Sequence, residues 1–255
     1  MISSLTDIVQ RAQDTASEIA KLTNEHPDMS VADGYLVQAE LLRRWLSAGR
    51  RLVGYKVGLT SKAKMDQMGV KVPAFGSLIA DTCIPDGGVV DASKLIHPKV
   101  ESELAFVTSR ELSGTVTLAE VLDSTECVMP AIEVIDSRYE NFAFDLPSVV
   151  ADNMSTARYV VGGSPRRPAG LDLRLLGVIM DRNGELVGSA AAAVALGHPA
   201  ASVAALVHWL ADSGRALPEG SLVLTGGVTE AISIKVGDHV TARVQHLGTV
   251  GLRMV

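Results

Sequence analysis

Cysteine is scarce: the chain has two, Cys83 and Cys127, far apart and with no CxxC pair or histidine-rich tract beside either. A disulfide framework and a thiolate zinc site therefore lack support, and a reducing cytoplasm is the expected compartment. Aromatic residues make up only 4% of the 255, so the core must come from aliphatic side chains, which the 47% hydrophobic share supplies. Positive charge is not in excess. The formal net charge is −6, and no basic stripe interleaves with aromatics, which argues against nucleic acid or another polyanion as a partner. The N-terminus lacks a basic region followed by an apolar stretch, and Asp7, Asp14 and Glu18 argue against a mitochondrial transit peptide. G-x-S-x-G, the P-loop and G-x-G-x-x-G are all missing, which removes the usual support for acyl transfer, NTP hydrolysis and dinucleotide binding.

One stretch lacks charge altogether. From Leu186 to Ala211 there is no Asp, Glu, Lys or Arg, and the run is long enough to span a bilayer. Gly197, His198 and Pro199 interrupt it, and its two halves differ in periodicity, so a buried strand, a turn and a helix are the expected structure. His198, just before the helix, is read as structural, because no partner positions it for catalysis.

What is present divides into two parts. Leu5, Ile8, Val9, Ala12, Ile19 and Leu22 form a helical stripe, and a second helix over residues 32–48 follows a Ser30/Asp33 capping box and stops at Gly49. From Arg51 onward the pattern changes to short β-branched or glycine-punctuated runs: RLVGYKVGL, GVVDAS, VESELAFV, CVMPAIEVID, ARYVVGG, DLRLLGVIM, SLVLTGG, HVTARVQHL and TVGLRMV. Turn signals such as Arg182-Asn183-Gly184 between such runs predict an antiparallel or mixed β-roll or barrel, interrupted by one helix bearing Val203, Leu206, Val207 and Leu210. The fold class is α+β, with a helical N-terminal lobe over residues 1–75 that includes the Lys56 strand, and a β-roll catalytic domain over 76–255.

Chemistry concentrates in HPKVESELAFV, residues 97–107. On a strand Glu101, Glu103 and Ala105 share a face, so two carboxylates meet at close range, either around a cation or on a solvated face. Glu133, flanked by apolar residues in VMPAIEVID, is a third acid that would need a partner if buried. Three carboxylates without His or Cys would suit Mg²⁺ or Mn²⁺. Lys56 sits between Gly54 and Gly58, which either leave room for a ligand or mark a bulge. Thr60 or Ser61 caps a short helix closed by Gly69, whose N-terminus can hold an anion. Arg138 could clamp a carboxylate or pair locally with Asp136 or Glu140, and Asn153 and Ser155 in the same polar run join it as candidate substrate contacts. Thr225, heading TGG, could present a hydroxyl and backbone N–H groups to an anion, or simply shape a turn.

Five segments, GYKVGLTSKAKMDQMGV, HPKVESELAFV, PAIEVIDSRYENFAFDLPSVVADN, LGHPAASVAALVHWLA and LVLTGGVTEAISIKVGD, together resemble the hydratase/decarboxylase branch of the fumarylacetoacetate hydrolase superfamily over nearly the whole chain. The resemblance implies a mixed β-roll of the fumarylacetoacetate hydrolase C-terminal type with a helical N-terminal lobe. It also implies that Glu101, Glu103 and Glu133 ligate Mg²⁺ or Mn²⁺, with Lys56 at the substrate's oxo acid end. The implied activity is decarboxylation of 2-oxo-3-hexenedioate, a small dicarboxylic 2-oxo acid. The alternatives are hydration of 2-hydroxypenta-2,4-dienoate and a non-catalytic role as binding partner of a hydratase. Hydratases of this branch tend to carry an Asp immediately before a Phe-Gly; here that position is Ala74, which cannot deliver a proton. A homo-oligomer, and a complex with a hydratase, are also implied.

Overall fold

The N-terminal segment is helical because its apolar residues fall on facing stripes, and its second helix is capped at the start. Helix α1 (Ile2–Thr15) buries Leu5, Val9 and Ala12 and stops where Ala16 turns left-handed. Ile19 and Leu22 are not on this helix, contrary to the stripe read from sequence. Ile19 bridges to Tyr139, its N–H donating to the Arg138 carbonyl, and Leu22 lies in a short 3₁₀ turn. Their spacing survives because both still bury against the same apolar cluster. Helix α2 (Val31–Ser47) begins with the expected capping box: Asp33 N–H donates to Ser30 Oγ at 3.1 Å and Ser30 N–H to the Asp33 carboxylate at 2.9 Å. Such a cap is worth about 1 kcal/mol. Val37, Leu41 and Trp45 of α2 pack with Leu5 and Val9, and this layer rests on Ile79, Tyr139 and Ala151 of the remaining chain.

The computed structural model describes all 255 residues, and beyond Arg51 it contains thirteen strands and four more helices. In chain order these are β1 (Leu52–Gly58), α3 (Lys62–Met68), β2 (Ala74–Ile79), β3 (Cys83–Ile84), β4 (Val89–Val90), β5 (Lys99–Thr108), α4 (Leu118–Asp123) and β6 (Thr125–Ile135). There follow α5 (Leu146–Ala151), β7 (Thr156–Val161), β8 (Gly177–Arg182), β9 (Glu185–Ala191), α6 (Pro199–Asp212), β10 (Leu222–Leu224), β11 (Ile232–Ser233), β12 (His239–Val244) and β13 (Gly248–Met254). One sheet runs β2-β1-β10-β5-β6-β7-β3 with β11 added to β5, and a second runs β4-β13-β12-β8-β9. Pairing is mixed: β1/β10, β3/β7 and β4/β13 are parallel and the others antiparallel. The fold is thus the expected α+β roll with a helical N-terminal part.

Period-two alternation decides which side of each strand meets which core. On β5, Leu104 and Phe106 pack with Val203, Leu206, Val207 and Leu210 of α6. On β6, Ile132 and Val134 meet Val240, Val250 and Leu252 of the second sheet. Glu101, Glu103 and Glu133 are left on the opposite side of both strands. The sheet does not divide at residue 75: β1, with Lys56, lies between β2 and β10, and residue 75 falls inside β2.

Strands β2, β3 and β11 and helices α4 and α5 were not expected. The two helices are six residues each, too short to show a periodic stripe, although Thr117 and Glu120 form a capping box on α4. Only the Gly177-led half of DLRLLGVIM is strand, and GVVDAS contributes only Val89–Val90. In the uncharged run, β9 is a half-exposed edge strand rather than a buried one, followed by a 3₁₀ turn and α6. Residues Ala192–Asp212 pass for a membrane span by length and composition, but half of that window is buried inside the protein, and α6 supplies four of its core residues named above. His198 caps α6, its Nδ1 accepting from the Ala200 N–H at 3.0 Å, as a structural histidine would. Both cysteines are free thiols.

Candidate active site

Strand register brings the acids together. Glu101 on β5 stands directly opposite Glu133 on β6, and Glu103 is one alternation further along the same face. All three are buried, and one carboxylate oxygen from each lies within 4.8 Å of the others. The solvated-face reading of the pair is therefore excluded. Lys56 reaches them from β1: its Nζ is 2.9 Å from Glu133 Oε2, with both side chains almost wholly buried, and 3.4 Å from the Met154 carbonyl.

The glycines around Lys56 serve different ends. A Cβ at Gly58 would stand 3.7 Å from Lys56 Nζ and only 2.7 Å from Met154 Cε, so glycine here lets the Met154 methyl pack close to the ammonium. Gly54 instead permits close strand pairing, since a Cβ there would lie 1.7 Å from the Leu222 carbonyl oxygen. The residue that makes room for the lysine stem is Gly76, its register partner on β2, where a Cβ would be 3.2 Å from Lys56 Cγ. The TGG turn after β10 also acts through close approach. Gly226 N–H donates to Glu103 Oε2 at 2.8 Å, and a Cβ at Gly227 would be 2.3 Å from Glu101 Oε2. The anion held by this turn is thus the protein's own carboxylate. Thr225 is not free to bind a ligand: its Oγ1 donates to the Leu104 carbonyl at 2.9 Å.

Burial and mutual repulsion set the electrostatics. Burial, then the charge of Glu133, pushes the Glu103 carboxyl well above the ordinary range; burial likewise raises Glu133, against the pull of Lys56. Burial opposes the charge on Lys56, but Glu133, Glu103 and Glu101 outweigh it and hold the ammonium's pKa up. Glu133 Oε1 accepts from Thr156 Oγ1 at 3.1 Å and its Oε2 faces Lys56, whereas Glu103 Oε1 has no partner at all. A buried acceptor without a donor, amid an excess of negative charge and only oxygen donors, fits a hard divalent cation.

A cavity of about 410 Å³ opens onto this cluster, lined by Lys56, Glu101, Lys64, Lys99, Ser155 and Gly227 together with an apolar wall of Leu59, Ile135, Phe142, Phe144, Val149 and Met154. Of the candidate substrate contacts, Lys56 and Ser155 line it, and Ser61, Arg138, Asn153 and Thr225 do not. Ser61 caps α3, accepting from the Lys64 N–H at 3.2 Å. Asn153 spends its amide on β2, with Nδ2 to the Ser77 carbonyl at 3.0 Å and Oδ1 from the Ser77 N–H at 2.7 Å. Arg138 is buried and committed: its guanidinium donates to the Asp152 carboxylate, to the Asp152 carbonyl at 2.7 Å and to the Asp136 carbonyl at 2.7 Å. It fixes the turn that carries Asn153 and Ser155, and its buried fork is directed at the protein's own oxygens rather than into the cavity.

Two lysines went unnoticed in the sequence. Lys64 pairs with Glu101 from α3, a helix with no buried residue and so no periodic signal. Lys99 was detectable, because extending the Glu103/Glu101 alternation one step back reaches it. Ala74, where the branch's hydratases tend to carry an acid, is buried beside Val149 and Met154 of the cavity wall.

Residues 54–255 match the family model described as fumarylacetoacetate (FAA) hydrolase C-terminal. The chain is 50% identical over 255 residues to 4-oxalocrotonate decarboxylase from Pseudomonas sp. (strain CF600), covering 100% of this chain and 97% of that protein. It is 38% identical over 241 residues to 2-keto-4-pentenoate hydratase from Paraburkholderia xenovorans (strain LB400), covering 94% and 90%. Among solved structures, 4-oxalocrotonate decarboxylase from Pseudomonas putida G7, complexed with magnesium and adipate, matches with a TM-score of 0.97 and 47% identity over 100% of this chain and 97% of that one. With the roll, the register of its three glutamates and a family match over most of its length, the chain belongs to the fumarylacetoacetate hydrolase C-terminal family.

Proposed function

We propose that this protein catalyses the metal-dependent decarboxylation of 2-oxo-3-hexenedioate (4-oxalocrotonate) to 2-hydroxypenta-2,4-dienoate and CO₂, a step in the meta-cleavage degradation of aromatic compounds. The observation that carries the reading is a buried three-glutamate cluster with Lys56 at the edge of a cavity, in a chain half identical, end to end, to a decarboxylase of that substrate. The hydratase reading is weaker on two counts: the lower identity, and an alanine at position 74 beside the cavity wall.

Glu101, Glu103 and Glu133 would hold Mg²⁺, with Mn²⁺ as a substitute, through oxygens alone. When bound, the ion supplies a Lewis acid for the 2-oxo acid end of the substrate. Lys56 is the catalytic side chain: its ammonium, fixed by Glu133 and the Met154 carbonyl, donates toward the C2 oxygen and stabilises the charge that develops there. The C5–C6 bond breaks and its electron pair becomes C4=C5. The C3=C4 pair moves to C2=C3, and the carbonyl pair goes to the C2 oxygen, which takes a proton to give the dienol. Ser155 borders the same space, and the apolar wall keeps water from the chain during the shift. Asn153, Arg138, Ser61 and Thr225 act as positioning residues through the bonds described above. The product is a dienol that a water-adding enzyme must consume, and the proposal includes a cytoplasmic homo-oligomer in complex with such a hydratase, checked by co-elution of the two.

The test is CO₂ release from 2-oxo-3-hexenedioate with and without EDTA. CO₂ that disappears with EDTA and returns with Mg²⁺ or Mn²⁺ supports the proposal. Hydration of 2-hydroxypenta-2,4-dienoate without CO₂ release from the diacid replaces it with the hydratase reading.

A further inference from the structure

Three lysines line the cavity, and two of them are spoken for. Lys56 is paired with Glu133 and Lys64 with Glu101. Lys99 has no carboxylate partner; its Nζ lies 4.1 Å from the centre of the Phe142 ring. A cation over an aromatic face keeps its N–H donors available, unlike one locked in an ion pair. Phe142 is itself firmly placed. Its ring stands 5.2 Å from His97 and 5.8 Å from Phe144, and both Asn141 and Phe142 hold left-handed backbone, with φ 57° and 58°. Non-glycine residues keep that conformation where their surroundings impose it.

The position of Lys99 relative to the acids is set by the strand. Lys99, Glu101 and Glu103 alternate on one face of β5, with Lys99 at its outer end. Two residues of strand advance about 6.7 Å. That step is comparable to the length of an extended six-carbon diacid, so a substrate whose oxo acid end lies at Glu101 and Lys56 places its other carboxylate at Lys99. We infer that Lys99 is the cation that receives the distal, C6 carboxylate, and that it makes the site selective for diacids over monoacids. The inference rests on the decarboxylase reading for the identity of the substrate. It also fixes where the contact acts. The C6 carboxylate keeps much of its charge until the C5–C6 bond has broken, so Lys99 holds bound substrate and transition state to a similar degree and shows in KM rather than in kcat.

The experiment compares two non-reacting ligands on Mg²⁺-loaded protein by calorimetry: 2-oxohexanedioate and 2-oxohexanoate, which differ only in the distal carboxylate. The wild type should prefer the diacid by about tenfold, Lys99→Met should abolish the preference by losing affinity for the diacid alone, and Lys99→Arg should keep it. With 2-oxo-3-hexenedioate, Lys99→Met should raise KM about tenfold and leave kcat within about threefold. A diacid preference that survives in both Lys99→Met and Lys99→Gln, or an equal loss of both ligands, overturns the inference. The ligand comparison needs no turnover. A protein that releases no CO₂ but shows the Lys99-dependent preference would therefore defeat the decarboxylase reading and leave the diacid subsite standing.

Discussion

Two groups of charged side chains are buried in this molecule, and they differ in whether their bonding is closed. Around Arg138 every contact is internal: the guanidinium meets Asp152 and three backbone carbonyls, and Asp152 Oδ2 also accepts from the Arg138 N–H at 3.3 Å and from Ser155 Oγ at 3.1 Å. Around Lys56 three carboxylates crowd one buried ammonium, Glu103 Oε1 has no donor, and a cavity reaches the cluster. Both groups cost desolvation energy. Only the second leaves coordination unfilled, and that incompleteness, rather than burial of charge as such, is what supports proposing it as the reactive one.

Removing one partner from the closed group should show most in stability. Arg138→Met strands a buried carboxylate and is expected to cost about 3–5 kcal/mol of unfolding free energy, read by urea denaturation. An unchanged midpoint would mean that the pair does not hold the Asp152 turn. In the open group the loss should be one of turnover. Lys56→Ala or Glu133→Gln is expected to lower kcat/KM at least about a hundredfold, about 3 kcal/mol of transition-state stabilisation, with the circular dichroism spectrum unchanged. Wild-type rates in either variant would remove that residue from the mechanism.

Glu103→Gln sharpens the contrast because its expected sign is opposite to that of Arg138→Met. Neutralising a buried, partly unpartnered carboxylate should stabilise the metal-free protein by about 1 kcal/mol while abolishing activity. Destabilisation in EDTA would place Glu103 in the closed class. The last contrast concerns pH. Burial raises the Asp152 carboxyl from 3.8 to about 6 against the pull of Arg138, so between those values the folded chain holds a proton that the unfolded chain has released. The stability due to that proton is complete below about 3.8 and is lost as pH rises through about 6. Its slope is at most about 1.4 kcal/mol per pH unit. Thermal melts should show it in the wild type, and Asp152→Asn should flatten it.

The open site was more legible in the sequence than the closed one. Alternation on VESELAFV put Glu101 and Glu103 on one face, and the apolar flanks of Glu133 required a partner for it, because strand geometry is short-ranged and repeats every two residues. What alternation cannot supply is pairing between distant strands. That Gly76 rather than Gly54 accommodates the Lys56 stem depends on which strands lie beside β1. Arg138 shows the same limit: its nearby acids Asp136 and Glu140 were the visible partners, and the true one is Asp152, fourteen residues on, across a loop containing α5. Helices of six residues left no periodic trace, and Ile19 and Leu22 kept a helical spacing after the helix had ended.

On this account the clustered carboxylates of Glu101, Glu103 and Glu133 form a divalent cation site. Manganese titration of EDTA-stripped protein, followed by electron paramagnetic resonance, tests it most directly. One Mn²⁺ bound per chain, displaced by Mg²⁺ and lost in Glu133→Gln but not in a folded Lys99→Met variant, is the predicted result. Undiminished Mn²⁺ binding in Glu101→Gln, Glu103→Gln and Glu133→Gln would contradict it.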